Sequence, residues 1–126
     1  MPTTKQLVIH AANRPGTLAR IAETLARNRI NIQGLDSSGP QATARIVDQH
    51  PDRAVQILQK AKIRARTEEV VLVNLADRPG TLARVTAKLA RRGININYAY
   101  GTVARGSQRA AIVLGVSNPS RAGKLI

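Results

Sequence analysis

The sequence contains no cysteine, no tryptophan and no phenylalanine, and its only aromatic residues are Tyr98 and Tyr100. Without cysteine the chain cannot form disulfides, use thiolate chemistry or bind a metal through sulfur. No apolar run approaches the roughly 18 residues that a membrane-spanning helix needs. The beginning of the chain also lacks the long apolar region of a secretory signal. These absences predict a protein with no membrane segment and a cytoplasmic location.

Groups suited to catalysis are equally scarce. The chain has two histidines, far apart, and seven acidic residues. The adjacent pair Glu68 and Glu69 would point to opposite faces of a strand. No phosphate-binding loop, nucleophile elbow or metal-ligand spacing is present. The sequence therefore predicts that the protein is not an enzyme and needs neither a cofactor nor a metal.

Positive charge is what the sequence has in excess. The formal net charge is +13, and most of the cationic residues are arginine. Such a surface attracts anions. Two interpretations stay open: a solvated arginine-rich surface, or a nucleic-acid partner. The charges are spread over both halves of the chain rather than gathered in one run, which favours the first.

An internal repeat decides the domain organisation. Residues 13–32 return at residues 77–96, and 13 of the 20 aligned positions are identical. Such agreement indicates a duplication, with one module at residues 1–68 and a second at residues 69–126. The apolar fraction of 43% is enough for a core in each module, and that core must be aliphatic.

Each copy predicts the same order of elements. An alternating strand ends at Asn13-Arg-Pro-Gly16 or Asp77-Arg-Pro-Gly80, and an amphipathic helix follows. A second strand is predicted at residues 30–33 and 94–98, which would place Tyr98 and Tyr100 on the face of Ile94 and Ile96. A third strand and a second helix, beginning at Pro51 or Pro119, come next.

These patterns predict an α+β fold of two tandem ferredoxin-like βαββαβ modules, each an antiparallel sheet with both helices on one face. The fourth strand of the first module is expected to run directly into the first strand of the second. The second module ends at Ile126 within its second helix, and we expect it to lack its last strand. An open sheet edge of this kind predicts a homodimer or a larger homo-oligomer.

The repeated Arg-Pro-Gly-Thr-Leu-Ala turn, the helix after it and the Ile-Asn-Ile strand resemble the ACT domain family of amino-acid sensors. The whole chain resembles proteins that carry two ACT modules and no catalytic domain. The resemblance implies that the protein binds a small molecule, an amino acid above all, and regulates a protein partner. It also implies ligand sites where the turn of one module meets the second strand of another. Carried over by position, these site residues are Asn13, Arg14, Gly16, Thr17, Asn31, Gln33, Asp77, Arg78, Gly80, Thr81, Asn95 and Asn97. Some family members have a histidine at the position of Ala11, so His10 is not assigned to the ligand.

The chemistry of these residues suits a free amino acid. Helix N-termini at Gly16 and Gly80 offer unpaired N–H groups to a carboxylate. Asn31 and Asn95 offer both donors and acceptors, and Asp77 can accept from an ammonium. Structural roles stay open for the same residues, because the glycines suit the turn, Asp77 suits an Asx turn and the asparagines suit a solvated strand.

Overall fold

The computed structural model describes residues 3–12, 14–38, 43–103 and 108–126, which form six strands and four helices. Asn13, one of the expected site residues, lies outside the described residues. The elements in chain order are β1 (Thr3–His10), α1 (Thr17–Arg27), β2 (Gly34–Ser38), β3 (Thr43–Val47), α2 (Pro51–Lys60), β4 (Arg64–Ala76), α3 (Thr81–Arg91), β5 (Ile96–Val103), β6 (Arg109–Val116) and α4 (Pro119–Leu125).

Contacts divide the chain into two compact units. The first spans Lys5–Glu68, and the second spans Glu69–Ile126 together with Thr3 and Thr4. Strand β4 is 13 residues long and crosses the boundary without a loop. The prediction that one module's fourth strand continues as the next module's first strand is therefore confirmed.

The first unit is built on an antiparallel sheet in which β3 lies between β2 and β1. Helices α1 and α2 pack against each other. The spacing of Ile21 and Leu25 on α1 forms one apolar stripe, and that stripe is buried against the sheet. The buried core consists of Leu7, Ile9, Ile21, Leu25, Ile30, Ala44, Ile46, Ala54, Leu58 and Ile63.

The second unit repeats this plan with β6 between β4 and β5. Its last described element is α4, which begins with Pro119 in its first turn. The Oδ1 atom of Asn118 accepts a hydrogen bond from the backbone N–H of Arg121 at 3.1 Å and so caps that helix. The buried core consists of Val71, Val73, Leu89, Ile94, Leu114, Val116 and Ala122.

The second strand of each unit begins later in the chain than the sequence predicts. Residues 30–33 precede β2, which begins at Gly34, and β5 begins at Ile96 rather than at residue 94. Ile30 and Ile94 are instead buried in the connections that follow α1 and α3. Their apolar side chains fill the core without needing a strand backbone.

The expected position of the tyrosines is wrong because of a β-bulge. Ile96 pairs with Val116 on β6, but Tyr98 pairs with Gly115, so Asn97 is an extra residue on β5. The bulge turns Tyr98 and Tyr100 to the sheet face opposite Ile96, which packs on the helix-covered core. The tyrosines therefore do not belong to the aliphatic core beneath the helices.

Candidate functional site

The turn between β1 and α1 forms a compact structure with its own hydrogen bonds. The hydroxyl of Thr17 donates to the carbonyl of Ala12 at 2.6 Å, and the amide of Thr17 donates to the carbonyl of Arg14 at 3.2 Å. Gly16 adopts a left-handed conformation with φ of 91° immediately before the helix. Glycine adopts this conformation without the strain that a Cβ would bring. The turn is thus closed by Thr17 and permitted by Gly16.

A cavity of about 250 Å³ lies against this turn. That volume is below the roughly 300–1,000 Å³ of clefts for drug-sized ligands, so it suits a smaller molecule. The turn, the first residues of α1 and one buried side chain after α2 form its wall. The residues that line the cavity are Ala11, Ala12, Arg14, Pro15, Gly16, Thr17, Arg20, Ile21 and Ile63.

The electrostatics of this cavity are positive. Arg14 and Arg20 line it, and the first turn of α1 contains no acidic residue. Among the described residues, no side chain caps the N-terminus of α1. Uncapped helix N–H groups carry a partial positive charge and bind anions. The arrangement can hold a carboxylate between the helix N-terminus and a guanidinium.

The corresponding turn between β4 and α3 has nearly the same backbone but different side-chain contacts. Gly80 has a φ of 90°, yet the hydroxyl of Thr81 donates to the carbonyl of Arg78 at 3.2 Å rather than across the turn. The Asp77 amide donates to the carbonyl of Gln108 at 2.8 Å. Within the described chain the exposed Asp77 carboxylate makes no hydrogen bond, so the expected Asx contact from this side chain is not formed.

The side-chain amides of Asn31 and Gln33 lie far from the turn of their own unit. His10, the last residue of β1, pairs with Thr43, whereas Gly34, the first of β2, pairs with Val47 at the other end of β3. These ends are four residues apart, or about 13 Å at about 3.3 Å per residue. Asn31 and Gln33 precede Gly34, so they do not line the cavity beside Gly16.

The second unit separates the same groups in the same way. Ala76 pairs with Arg109 at one end of β6, and Ile96 pairs with Val116 at the other. Asn95 and Asn97 lie at the Val116 end, where the Nδ2 atom of Asn95 donates to the Oδ1 atom of Asn97 at 2.8 Å. The structure thus joins these two amides and keeps them apart from Asp77, Arg78, Gly80 and Thr81.

Six cavity residues were not among those expected from the sequence: Ala11, Ala12, Pro15, Arg20, Ile21 and Ile63. The guanidinium of Arg20 donates a hydrogen bond to the carbonyl of Ala61. A signal for Arg20 was available, because Arg20 and Arg84 are identical in the repeat. Ile63 has no such signal, since its position follows from packing after α2.

The residues that the structure describes contain no group of three or more histidine or acidic side chains arranged to hold a metal ion. None of the helices in that part of the chain has the length and apolar character to cross a membrane.

Comparison with known proteins places these features in a family. A model of the ACT domain pair matches residues 2–126. No curated protein sequence matches the chain. Protein BT0572 of Bacteroides thetaiotaomicron superposes with a TM-score of 0.90 at 27% identity, covering 98% of this chain and 86% of that one.

Aspartate kinases supply other similar structures. The regulatory subunit of the Thermus thermophilus enzyme superposes with a TM-score of 0.67 at 15% identity, covering 99% of this chain and 95% of that one. Aspartokinase III of E. coli, solved in complex with lysine and aspartate, gives a TM-score of 0.61 at 18% identity. The match covers 98% of this chain and 29% of that one. At identities of 15% and 18%, these two similarities show a shared fold.

Proposed function

Because this chain belongs to the ACT domain pair family, we propose that it is a regulatory protein that senses a free amino acid. Two ACT modules are regulatory units, and the match covers nearly the whole chain. The output of such a sensor is a change in binding to another protein or in its own assembly. A homodimer or larger assembly and a cytoplasmic location stay predictions.

The observation that carries the proposal is the positive cavity beside Gly16. An amino acid offers a carboxylate, which the N-terminus of α1 and the guanidinium groups of Arg14 and Arg20 suit. The absence of a side chain at Gly16 lets the ligand approach the backbone. Aspartokinase III of E. coli, solved with lysine and aspartate, is a structural neighbour, which supports the choice of ligand class.

Four side-chain amides take part in ligand binding only under one condition. They belong to Asn31, Gln33, Asn95 and Asn97. Each lies at the end of its sheet away from the turn of its own unit. They can contact a ligand held at a turn only where two modules meet. Their contribution therefore distinguishes a ligand bound by one module from a ligand shared by two.

A thermal-shift screen against the twenty amino acids tests the proposal. A ligand at a hundred times its dissociation constant should stabilise the fold by about 2.7 kcal/mol. We expect one or a few amino acids to raise the melting temperature. In folded variants, Gly80→Val should reduce that response strongly, because it removes the tighter site, and Gly16→Val should reduce it in part. If no amino acid stabilises the protein at millimolar concentration, the proposal fails.

Nucleic-acid binding is a second candidate, favoured by the +13 charge and by the tyrosine positions. The bulge in β5 places Tyr98 and Tyr100 on the sheet face away from the helices, and RNA-binding sheets stack bases on aromatic side chains. The sensor is preferred because the ring of Tyr98 lies against Gly115, which leaves less of the ring for stacking on a base. Sequence-preferring RNA or DNA binding that survives about 200 mM salt would favour the second candidate.

A further inference from the structure

The charges around the cavity beside Gly16 are all of one sign. Arg14 and Arg20 line it, and no acidic residue is among the described residues of its wall. A neutral amino acid brings one carboxylate and one ammonium, so its net charge is zero and the guanidinium charges stay uncompensated. A ligand with a second carboxylate is the better electrostatic match to this cavity.

Arg20 is held at the wall of the cavity by a contact within the first unit. It lies in the first turn of α1, and its guanidinium donates a hydrogen bond to the carbonyl of Ala61, just after α2. A guanidinium has several N–H donors in a fixed planar arrangement, so others remain for a ligand. Because the contact with Ala61 already restricts the side chain, less freedom is lost when a carboxylate binds to it.

The nearest acidic residue along α1 does not neutralise Arg20. Glu23 follows Arg20 by three residues, a spacing at which helix side chains can pair. In the part of the chain that the structure describes, the two form no ion pair, and Glu23 is exposed. The side chain of Arg14 has no hydrogen bond or ion pair with any described residue. Both guanidinium groups are therefore available to a carboxylate.

The backbone of the first turn of α1 offers a separate place for another carboxylate. The amides of Thr17 and Arg20 are used within the turn, where each donates to a backbone carbonyl. The amides of Leu18 and Ala19, between them, make no hydrogen bond to the described chain. Free amides at a helix N-terminus bind carboxylates. One carboxylate of a ligand can thus be held by the helix while a second reaches a guanidinium.

The apolar part of the wall strengthens the contact with a charged ligand. Ile21 and Ile63 line the cavity and also belong to the buried core of the unit. Apolar atoms beside a charged pair lower the local dielectric, so a guanidinium–carboxylate contact is stronger here than on an open surface. The volume of about 250 Å³ suits a small ligand rather than a peptide.

We propose that the cavity beside Gly16 selects an acidic amino acid, aspartate or glutamate, and that Arg20 determines this selectivity by binding the side-chain carboxylate. The α-carboxylate of the ligand then lies at the first turn of α1. Lysine is excluded, because its side chain would bring a further cation to Arg14 and Arg20. This inference rests on the proposed amino-acid sensing and specifies the class of its ligand.

Titration of the full chain with aspartate, glutamate and their amides, asparagine and glutamine, tests the proposal. Each amide has nearly the shape of its acid and lacks only the charge. The backbone amide resonances of residues 16–21 report on this cavity separately from the turn at Gly80. We expect each acid to bind about tenfold or more tightly than its amide, the value of one charge-assisted hydrogen bond.

Arg20→Gln is the variant that tests the role of the guanidinium. Glutamine can still donate to the carbonyl of Ala61 but carries no charge, so we expect the preference for an acid to fall to within about threefold. The matched control is Arg27→Gln, which removes the same charge from an exposed residue of α1. Arg27 lies about 10 Å further along the helix, at about 1.5 Å per residue, so this variant should keep the wild-type preference.

The possible failures are distinguishable. An amide that binds as tightly as its acid, or a folded Arg20→Gln that keeps the wild-type preference, would overturn the selectivity and leave amino-acid sensing intact. Equal losses of preference in Arg20→Gln and Arg27→Gln would attribute the effect to overall charge and would also contradict the role of Arg20. Succinate has two carboxylates and no ammonium. Binding of succinate without a response to any amino acid would contradict the proposed function itself. If Arg20→Gln does not fold, the comparison of acids with amides in the wild-type chain decides.

Discussion

The ring of Tyr98 lies directly over Gly115, its cross-strand partner on β6. A Cβ built on Gly115 would overlap the Cζ, Cε1 and Cε2 atoms of that ring. The contact arises from the bulge before Tyr98, which turns the tyrosine to the face of Gly115 rather than toward the helix-covered core. Glycine at position 115 is therefore explained by close packing rather than by backbone conformation.

Gly115→Ala is expected to destabilise the protein by about 1–3 kcal/mol, the usual cost of overpacking. The methyl group must displace the ring of Tyr98 or part β5 from β6. Urea unfolding measures the change. In a double-mutant cycle, Tyr98→Ala should remove most of the cost of Gly115→Ala, with a coupling of at least about 0.5 kcal/mol. Additive effects of the two substitutions would contradict the contact.

The repeat explains how much of the fold could be predicted from sequence. The Arg-Pro-Gly turns and the apolar stripe of Ile21 and Leu25 are local signals, and both helices begin where these signals place them. The bulge at Asn97 has no comparable signal, because the pairing of β5 with β6 determines it. The predicted sheet face of the Tyr98 and Tyr100 side chains is wrong for that reason.

The sequence predicts the turn residues of the candidate site but not the other residues that line its cavity. Arg14, Gly16 and Thr17 are contiguous, so one motif identifies them all. Ile63 reaches the same cavity from the other end of the unit's sequence, and only packing brings it there. The separation of Asn31 from Gly16 likewise depends on the register of β3 with its neighbours.

Arg29 and Gly93 provide a matched pair for a stability prediction. Both follow the first helix of their unit with positive φ, 60° for Arg29 and 70° for Gly93. Their amides make the same hydrogen bond, each to a helix carbonyl at 3.0 Å. A left-handed conformation strains arginine and not glycine.

We therefore expect Arg29→Gly to stabilise the protein by about 0.5–1 kcal/mol after the larger unfolded-state entropy of glycine is subtracted. Gly93→Ala should be destabilising by a similar amount. Thermal or urea unfolding of the two variants measures both effects. If Arg29→Gly is destabilising instead, contacts of the arginine side chain outweigh the backbone strain.

Asp48 is a buried carboxyl between β3 and α2. It is 5% exposed, and its Oδ1 atom accepts a hydrogen bond from the backbone N–H of His50 at 2.6 Å. Within the described chain its Oδ2 atom is buried without a partner. Burial raises the pKa of Asp48 above its ordinary value, and the hydrogen bond and charge of His50 oppose this in part. The charged form is thus less favourable in the folded state than in the unfolded chain.

Because the pKa of Asp48 is raised in the folded state, the protonated carboxyl stabilises the fold. This contribution is fully present below the pKa of the unfolded chain and is lost as the pH rises through the pKa of the folded state. Asp48→Asn keeps the acceptor for His50 and removes the charge. We expect this variant to be more stable than the wild type at pH 7 by on the order of 1 kcal/mol. Urea unfolding from pH 7.5 to pH 4 should show the advantage shrinking as pH falls. A stability advantage of the variant that grows toward pH 4 would contradict the raised pKa of Asp48.

The two turns should bind an amino acid with different affinities, because the second has Asp77 where the first has Asn13. A carboxylate should hold the ligand ammonium better than an amide by about 1.5–3 kcal/mol, the range for a charge-assisted hydrogen bond. Asp77→Asn should therefore weaken the tighter site, and Asn13→Asp should strengthen the weaker one. Calorimetry with the amino acid found by thermal shift measures both.

Glycine variants assign each site to its turn. Gly80→Val should remove the tighter site and Gly16→Val should spare it, because valine at a φ near 90° distorts the turn that contains it. Asn31→Ala then decides whether modules share the ligand. Asn31 lies at the far end of its own sheet from Gly16, so it can contribute only to a turn of another module. We expect Asn31→Ala to weaken the site that Gly80→Val removes. If it weakens instead the site that Gly16→Val removes, one module binds the ligand alone and the shared site is wrong.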